Sequence, residues 1–124
     1  ADALAKLVAA RDETCAQIRP RDPTMKLQRL KDEALDAAGL RPYVWWVGGY
    51  VLGVAVPPDW VGHVYLNDEE GFELGVFTPG FVANWEVQLW DLPDGGGAGV
   101  IDTMIATDVG IEIPARFPGT LTVV

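Results

Sequence analysis

Residues 41–52 read Arg-Pro-Tyr-Val-Trp-Trp-Val-Gly-Gly-Tyr-Val-Leu, and the fold turns on this stretch. Aromatic and β-branched residues crowd Tyr43–Val47 and Tyr50–Leu52, which predicts short strands parted by Gly48 and Gly49. Trp45 and Trp46 are neighbours, so on a strand they face opposite sides of the sheet. Either the sheet is covered on both faces, or one ring meets a partner.

Upstream the period is helical. Leu4, Leu7, Val8, Cys15 and Ile18 form the apolar stripe of a helix from residue 2 to about 18, ended by Pro20 and Pro23. Thr24 is placed to cap a second helix with Leu27, Leu30, Ala34, Leu35 and Ala38 on its apolar face. Gly39 stands where a C-terminal glycine belongs.

Downstream the runs are of β type: 63–66, 72–77, 81–90, 99–107 and 121–124. Turn clusters part them, at Pro57-Pro58-Asp59, Asn67–Gly71, Thr78-Pro79-Gly80 and Asp94–Gly97. The expected class is α+β: two N-terminal helices packed on one face of a curved, mainly antiparallel sheet. A length of 124 residues is room for one domain, taken as 1–124.

Composition excludes several classes. Nine Lys and Arg against 18 Asp and Glu give a net charge of −9, the wrong sign for nucleic acid or an anionic membrane. At 49% hydrophobic, the chain is too apolar to be disordered, yet no run reaches the ~18 residues of a membrane span. One cysteine (Cys15) and one histidine (His63) make neither an internal disulfide nor a Cys/His zinc site. The chain opens on Ala1 with no signal peptide, which gives a cytoplasmic expectation. It also suggests a piece of something longer.

Few side chains suggest chemistry by themselves. His63, after Asp59-Trp60, reads as a turn residue. Asp91-Leu92-Pro93-Asp94 lacks the spacing of a twelve-residue calcium loop and reads as a turn. Trp45, Trp46, Trp60, Trp85 and Trp90 leave open an aromatic surface for a sugar or another flat ligand.

A resemblance rests on landmarks in order. Ala9–Pro20 looks like a helix ending in Ile-x-Pro, and Leu35–Gly39 like an Ala-Gly-Leu helix end. Gly49–Gly53 is followed by Pro57–Trp60, then Phe77–Gly80, Ile101–Thr103, Thr107–Glu112 and Phe117-Pro118. Together they resemble the C-terminal half of the pita-bread metallopeptidases: methionine aminopeptidase, Xaa-Pro aminopeptidase, prolidase and creatinase. That family shows a His-Gly-x-Gly turn, a Pro-Pro, a Glu-Pro-Gly turn and a Glu-Asp-Thr strand in this order.

The resemblance implies two divalent metals such as Mn, Co or Zn, held by two upstream Asp, one His and two Glu. It puts the His at Gly48 or Gly49, the first Glu at Thr78 and the second at Ile101. None of these side chains replaces its counterpart as a ligand. The expectation is a chain with no catalytic residue, no bound metal and no cofactor. Tyr50, Trp60, His63 and Asp102 are left as a possible pocket, with Asp102 facing away from Ile101. A degenerate peptidase-like domain acting in binding or assembly follows, as a homodimer or docked on a missing N-terminal half. Its rivals are a fragment of an active metallohydrolase and an aromatic-surface ligand-binding domain.

Overall fold

The structure is a computed structural model and describes residues 2–53 and 75–115. Helix α1 (Asp2–Ala16) and helix α2 (Thr24–Ala37) come first. A short 3-10 turn, Arg41–Tyr43, leads into β1 (Val44–Gly48). Strands β2 (Val82–Leu89), β3 (Ala98–Ala106) and β4 (Ile111–Glu112) complete one sheet of order β1-β2-β3-β4. Every neighbouring pair is antiparallel. This is the α+β architecture expected from the sequence. The expected runs 63–66 and 121–124, with Trp60, His63, Pro57-Pro58 and Phe117-Pro118, lie outside the described residues.

The helices are set by their apolar stripes. Leu7, Ala10, Cys15 and Ile18 of the first segment are buried with Leu27, Leu30, Leu35 and Leu40 of the second. They meet Ala83, Trp85, Val87 and Leu89, the alternate residues of β2 that share one face. Val100, Met104 and Ala106 extend that surface onto β3. Burial at ~25 cal/mol per Å² of apolar surface is what fixes the helices there.

Gly39 ends α2 as expected. It has a φ of +68°, its N–H donates to Asp36 O, and the N–H of buried Leu40 donates to Leu35 O at 2.9 Å. That pair of bonds closes a Schellman motif, which needs a residue at positive φ. The other end differs from expectation. Pro23 occupies the N-cap, Thr24 is the first helical residue, and no side chain caps the helix. Buried Thr24 instead turns its N–H to Gly75 O at 3.0 Å.

Two expected strands are reduced. Residues 50–52 and the described part of 72–77 contribute isolated bridges, among them Val51 to Ala83 and Pro23 to Val76. Phe77 pairs with the α1–α2 connection through Phe77 N–H to Asp22 O and Arg21 N–H to Phe77 O, both 2.9 Å. Pro23 faces Val76 at a position where no N–H is needed, and Thr24 N–H to Gly75 O at 3.0 Å carries the pairing one step further. Strand β2 is one of two inner strands and is buried along nearly its whole length on both faces. That makes its second face the place to look for function.

Candidate functional site

The face of β2 turned away from the helix-packed residues carries Asn84, Glu86 and Gln88. Register places Gly48 of β1 opposite Glu86, and Glu86 opposite Ile101 of β3, in one row across the sheet. Asn84 and Glu86 are buried, and Ile101 is exposed. The Glu86 carboxylate is held on both oxygens: Asn84 Nδ2 donates to Oε2 at 3.0 Å and Gln88 Nε2 to Oε1 at 2.6 Å. A buried carboxylate needs such donors to offset its lost hydration.

Asn84 also shapes the end of β1. Its backbone N–H donates to Tyr50 O at 3.0 Å, and its side-chain Oδ1 accepts the N–H of Tyr50. The chain at Gly49 therefore runs hard against β2. A Cβ on Gly49 would lie 2.2 Å from Asn84 O, a distance no side chain tolerates. Glycine at 49 is a packing requirement.

Beneath the row sits Lys31 of α2, which is fully buried. Its ammonium donates to Gly48 O and lies 5.2 Å from the centre of the Trp85 ring. Burial pushes its pKa down to about 7, against the raising effect of Cys15, Glu86 and Asp32. Burial likewise pushes the neighbouring Cys15 thiol up to about 11. Trp85 Nε1 donates to Thr14 Oγ1 at 3.0 Å, and Thr14 Oγ1 donates to Ala10 O at 2.7 Å.

The residues singled out from the sequence fall in different places. Gly49 lies next to the Gly48–Glu86–Ile101 row, and Ile101 lies in it. Thr78 does not join them. It is exposed in the turn before β2, beyond the Val82–Ile105 pair, and so at least roughly 13 Å along the strand from Ile101. The residue facing Ile101 is Glu86. Asp102 faces α1 and pairs with Arg11, both side chains being largely buried. The Tyr50 backbone is bound to Asn84, whose side chain lies on the other face of the sheet. Trp60 and His63 lie outside the described residues.

Glu86, Asn84, Gln88 and Lys31 were not singled out from the sequence. Two signals were available. Asn84, Glu86 and Gln88 alternate with Ala83, Trp85, Val87 and Leu89 at period two, and Lys31 sits four residues from both Leu27 and Leu35.

The two-metal centre implied by the resemblance does not fit this row. Gly49 offers no side chain and no room for one, and Ile101 offers a hydrocarbon. Glu86 alone has oxygen donors, and both already accept amide hydrogens. Among the described residues no three of His, Cys, Asp and Glu gather where a metal ion would sit.

No family model matches the sequence, and no curated protein matches it. Solved structures do. The chain is similar to the dipeptidase PepE of Mycobacterium ulcerans (21% identity, TM-score 0.77), covering 95% of this chain and 30% of that one. It is similar to an X-Pro aminopeptidase of Thermotoga maritima (13%, TM-score 0.78), covering 98% and 32%. A prolidase of Pyrococcus furiosus gives 17% and a TM-score of 0.70, covering 88% and 30%. The fold is that of one segment of the pita-bread Xaa-Pro peptidases, and the chain spans about 30% of their length. Among the described residues no helix is long and apolar enough to cross a membrane.

Proposed function

We propose that the chain is a peptidase-like half-domain that keeps the pita-bread scaffold without the dinuclear metal site and works in binding or assembly. The observation that carries this reading is the Gly48–Glu86–Ile101 row. One acidic side chain in it is engaged by two amides, and the adjacent Gly49 has Asn84 O where a histidine Cβ would be. Hydrolysis in this fold asks for several charged oxygen and nitrogen donors around two ions. The row supplies one.

On this reading the sheet face docks another polypeptide, either a second copy or the part that the longer relatives carry and this chain does not match. The cytoplasmic setting is kept, with the buried Cys15 as a reduced thiol. The coverage of only 30% of each relative favours a second reading, a fragment of an active Xaa-Pro hydrolase completed by another segment. Xaa-Pro dipeptides offered to the 124-residue chain with Mn, Co or Zn separate the two. The first reading predicts no turnover above a metal-only control. Turnover abolished by Glu86→Gln would replace it with the second.

A further inference from the structure

Lys31 and Glu86 belong to different layers, yet a polar path joins them. Lys31 Nζ, on the helix side, donates to Gly48 O at the end of β1. The next residue, Gly49, runs hard against Asn84 O of β2. Tyr50 N–H then donates to Asn84 Oδ1, and Asn84 N–H to Tyr50 O at 3.0 Å. Asn84 Nδ2 donates in turn to Glu86 Oε2 at 3.0 Å. Lys31, Asn84 and Glu86 are all buried, so water screens little along this path.

The charged and titratable groups that face Lys31 come from each layer. On α1 stand the buried Cys15 and Arg11, whose guanidinium is taken by Asp12 and by Asp102 of β3. On its own helix stands Asp32, which Arg41 holds. Strand β1 carries no charged residue, and β2 carries Glu86. Burial lowers the proton affinity of Lys31 most, and Cys15, Glu86 and Asp32 act against it. The outcome is a pKa of about 7, which populates both ammonium and free amine near neutrality.

The two forms treat the row differently. The ammonium makes a charge-assisted bond to Gly48 O and offsets the Glu86 carboxylate. The free amine makes a weaker bond and leaves that carboxylate uncompensated. We propose that Lys31 is a proton switch for the opposite face of the sheet, setting the charge balance at Glu86 and the hold of Gly48–Tyr50 on Asn84. Coupling of this kind is reciprocal: Glu86 favours the Lys31 proton, so whatever neutralises Glu86 helps to expel it. A cationic group therefore reaches Glu86 more readily above neutrality than below.

Nuclear magnetic resonance of the 124-residue chain tests this through the Lys31 side-chain nitrogen and Cε signals. The range is about pH 5 to 11, which spans the ordinary histidine and lysine values. Those signals are expected to titrate near pH 7, and the Tyr50 backbone amide and Asn84 side-chain amide to shift with the same midpoint. Glu86→Gln, and Ile101→Lys at the exposed position opposite it, are each expected to lower that midpoint by about half a unit. Asp108→Asn, the same change of charge in an exposed turn, leaves it in place. The one histidine, His63, is replaced by glutamine in a parallel series that should titrate alike. A Lys31 midpoint at the ordinary lysine value overturns the proposal. So do Tyr50 and Asn84 signals that stay still or lose their shift in His63→Gln, and these outcomes need only chains with Lys31 and Glu86 intact. A midpoint that ignores Ile101→Lys, or follows Asp108→Asn equally, overturns the link to Glu86. None of these readouts needs a docked partner or a hydrolysed substrate, so failure here leaves the proposed function standing.

Discussion

At the scale of single residues, Lys31 carries a heavy burial penalty. Its ammonium is fully buried, donates to the Gly48 carbonyl and lies against the Trp85 ring. Its pKa falls from an ordinary 10.5 to about 7, so between those values the unfolded chain binds more protons than the folded one. Stability then rises with pH through that window, and the burial penalty is complete below pH 7. Cys15 acts in the opposite sense. Its pKa rises from 9.0 to about 11, so the folded chain holds the extra proton there and stability falls across that range. Urea denaturation should therefore show stability climbing from pH 7 to 9 and no longer climbing above it. Lys31→Met should abolish the climb and add on the order of 2 kcal/mol at pH 6. A wild-type stability that falls between pH 7 and 9 would contradict the account. Gly49 is constrained in another way, by β2 pressing on it. Gly49→Ala should cost about 2 kcal/mol or more, while Gly99→Ala, whose added Cβ meets only ordinary contacts near 3.5 Å, should be close to neutral. Thermal melts of the pair check this, and equal losses would rule out the close approach as the cause.

At the scale of elements, the β2–β3 ladder organises the site. Glu86 and Ile101 are direct partners, so Ile101→Glu would set two carboxylates opposite each other. Like charges in that geometry repel, and the melting temperature should drop by about 2–4 °C. Millimolar manganese should restore it by bridging the pair, with no such effect on the native chain. A drop that ignores the cation would show that the two side chains do not face each other. Both helices, the Gly39 stop and the β2–β3 hairpin around Gly95–Gly97 could be read from the sequence, because each depends on residues close in the chain. The pairing of Glu86 with Ile101 could not, since it joins strands across a hairpin whose register is fixed only when both faces are packed. Thr78 was placed by the order of motifs, and order along a chain does not say which residues share a ladder row. The burial of Lys31 was masked by the usual preference of lysine for water, although its position between Leu27 and Leu35 was visible. The pairing of Phe77 with the α1–α2 connection depended on a contact more than fifty residues away.

At the scale of the whole molecule, a scaffold known from Xaa-Pro peptidases is matched over nearly the entire chain, while the chain matches about 30% of each relative. Likeness at 13–21% identity establishes the backbone arrangement, and the chemistry must be argued from the side chains on it. On the proposed function the sheet serves contact, with an amide-held carboxylate at its centre and exposed Trp90 and Ile101 beside it. On the proposed function this sheet lacks the two-metal centre. The direct measurement is the metal content of the 124-residue chain after equilibrium dialysis against manganese, cobalt and zinc, before and after chelation. The account predicts no stoichiometric ion of any of the three. One or two ions per chain, removed by chelator and lost in Glu86→Gln, would contradict it.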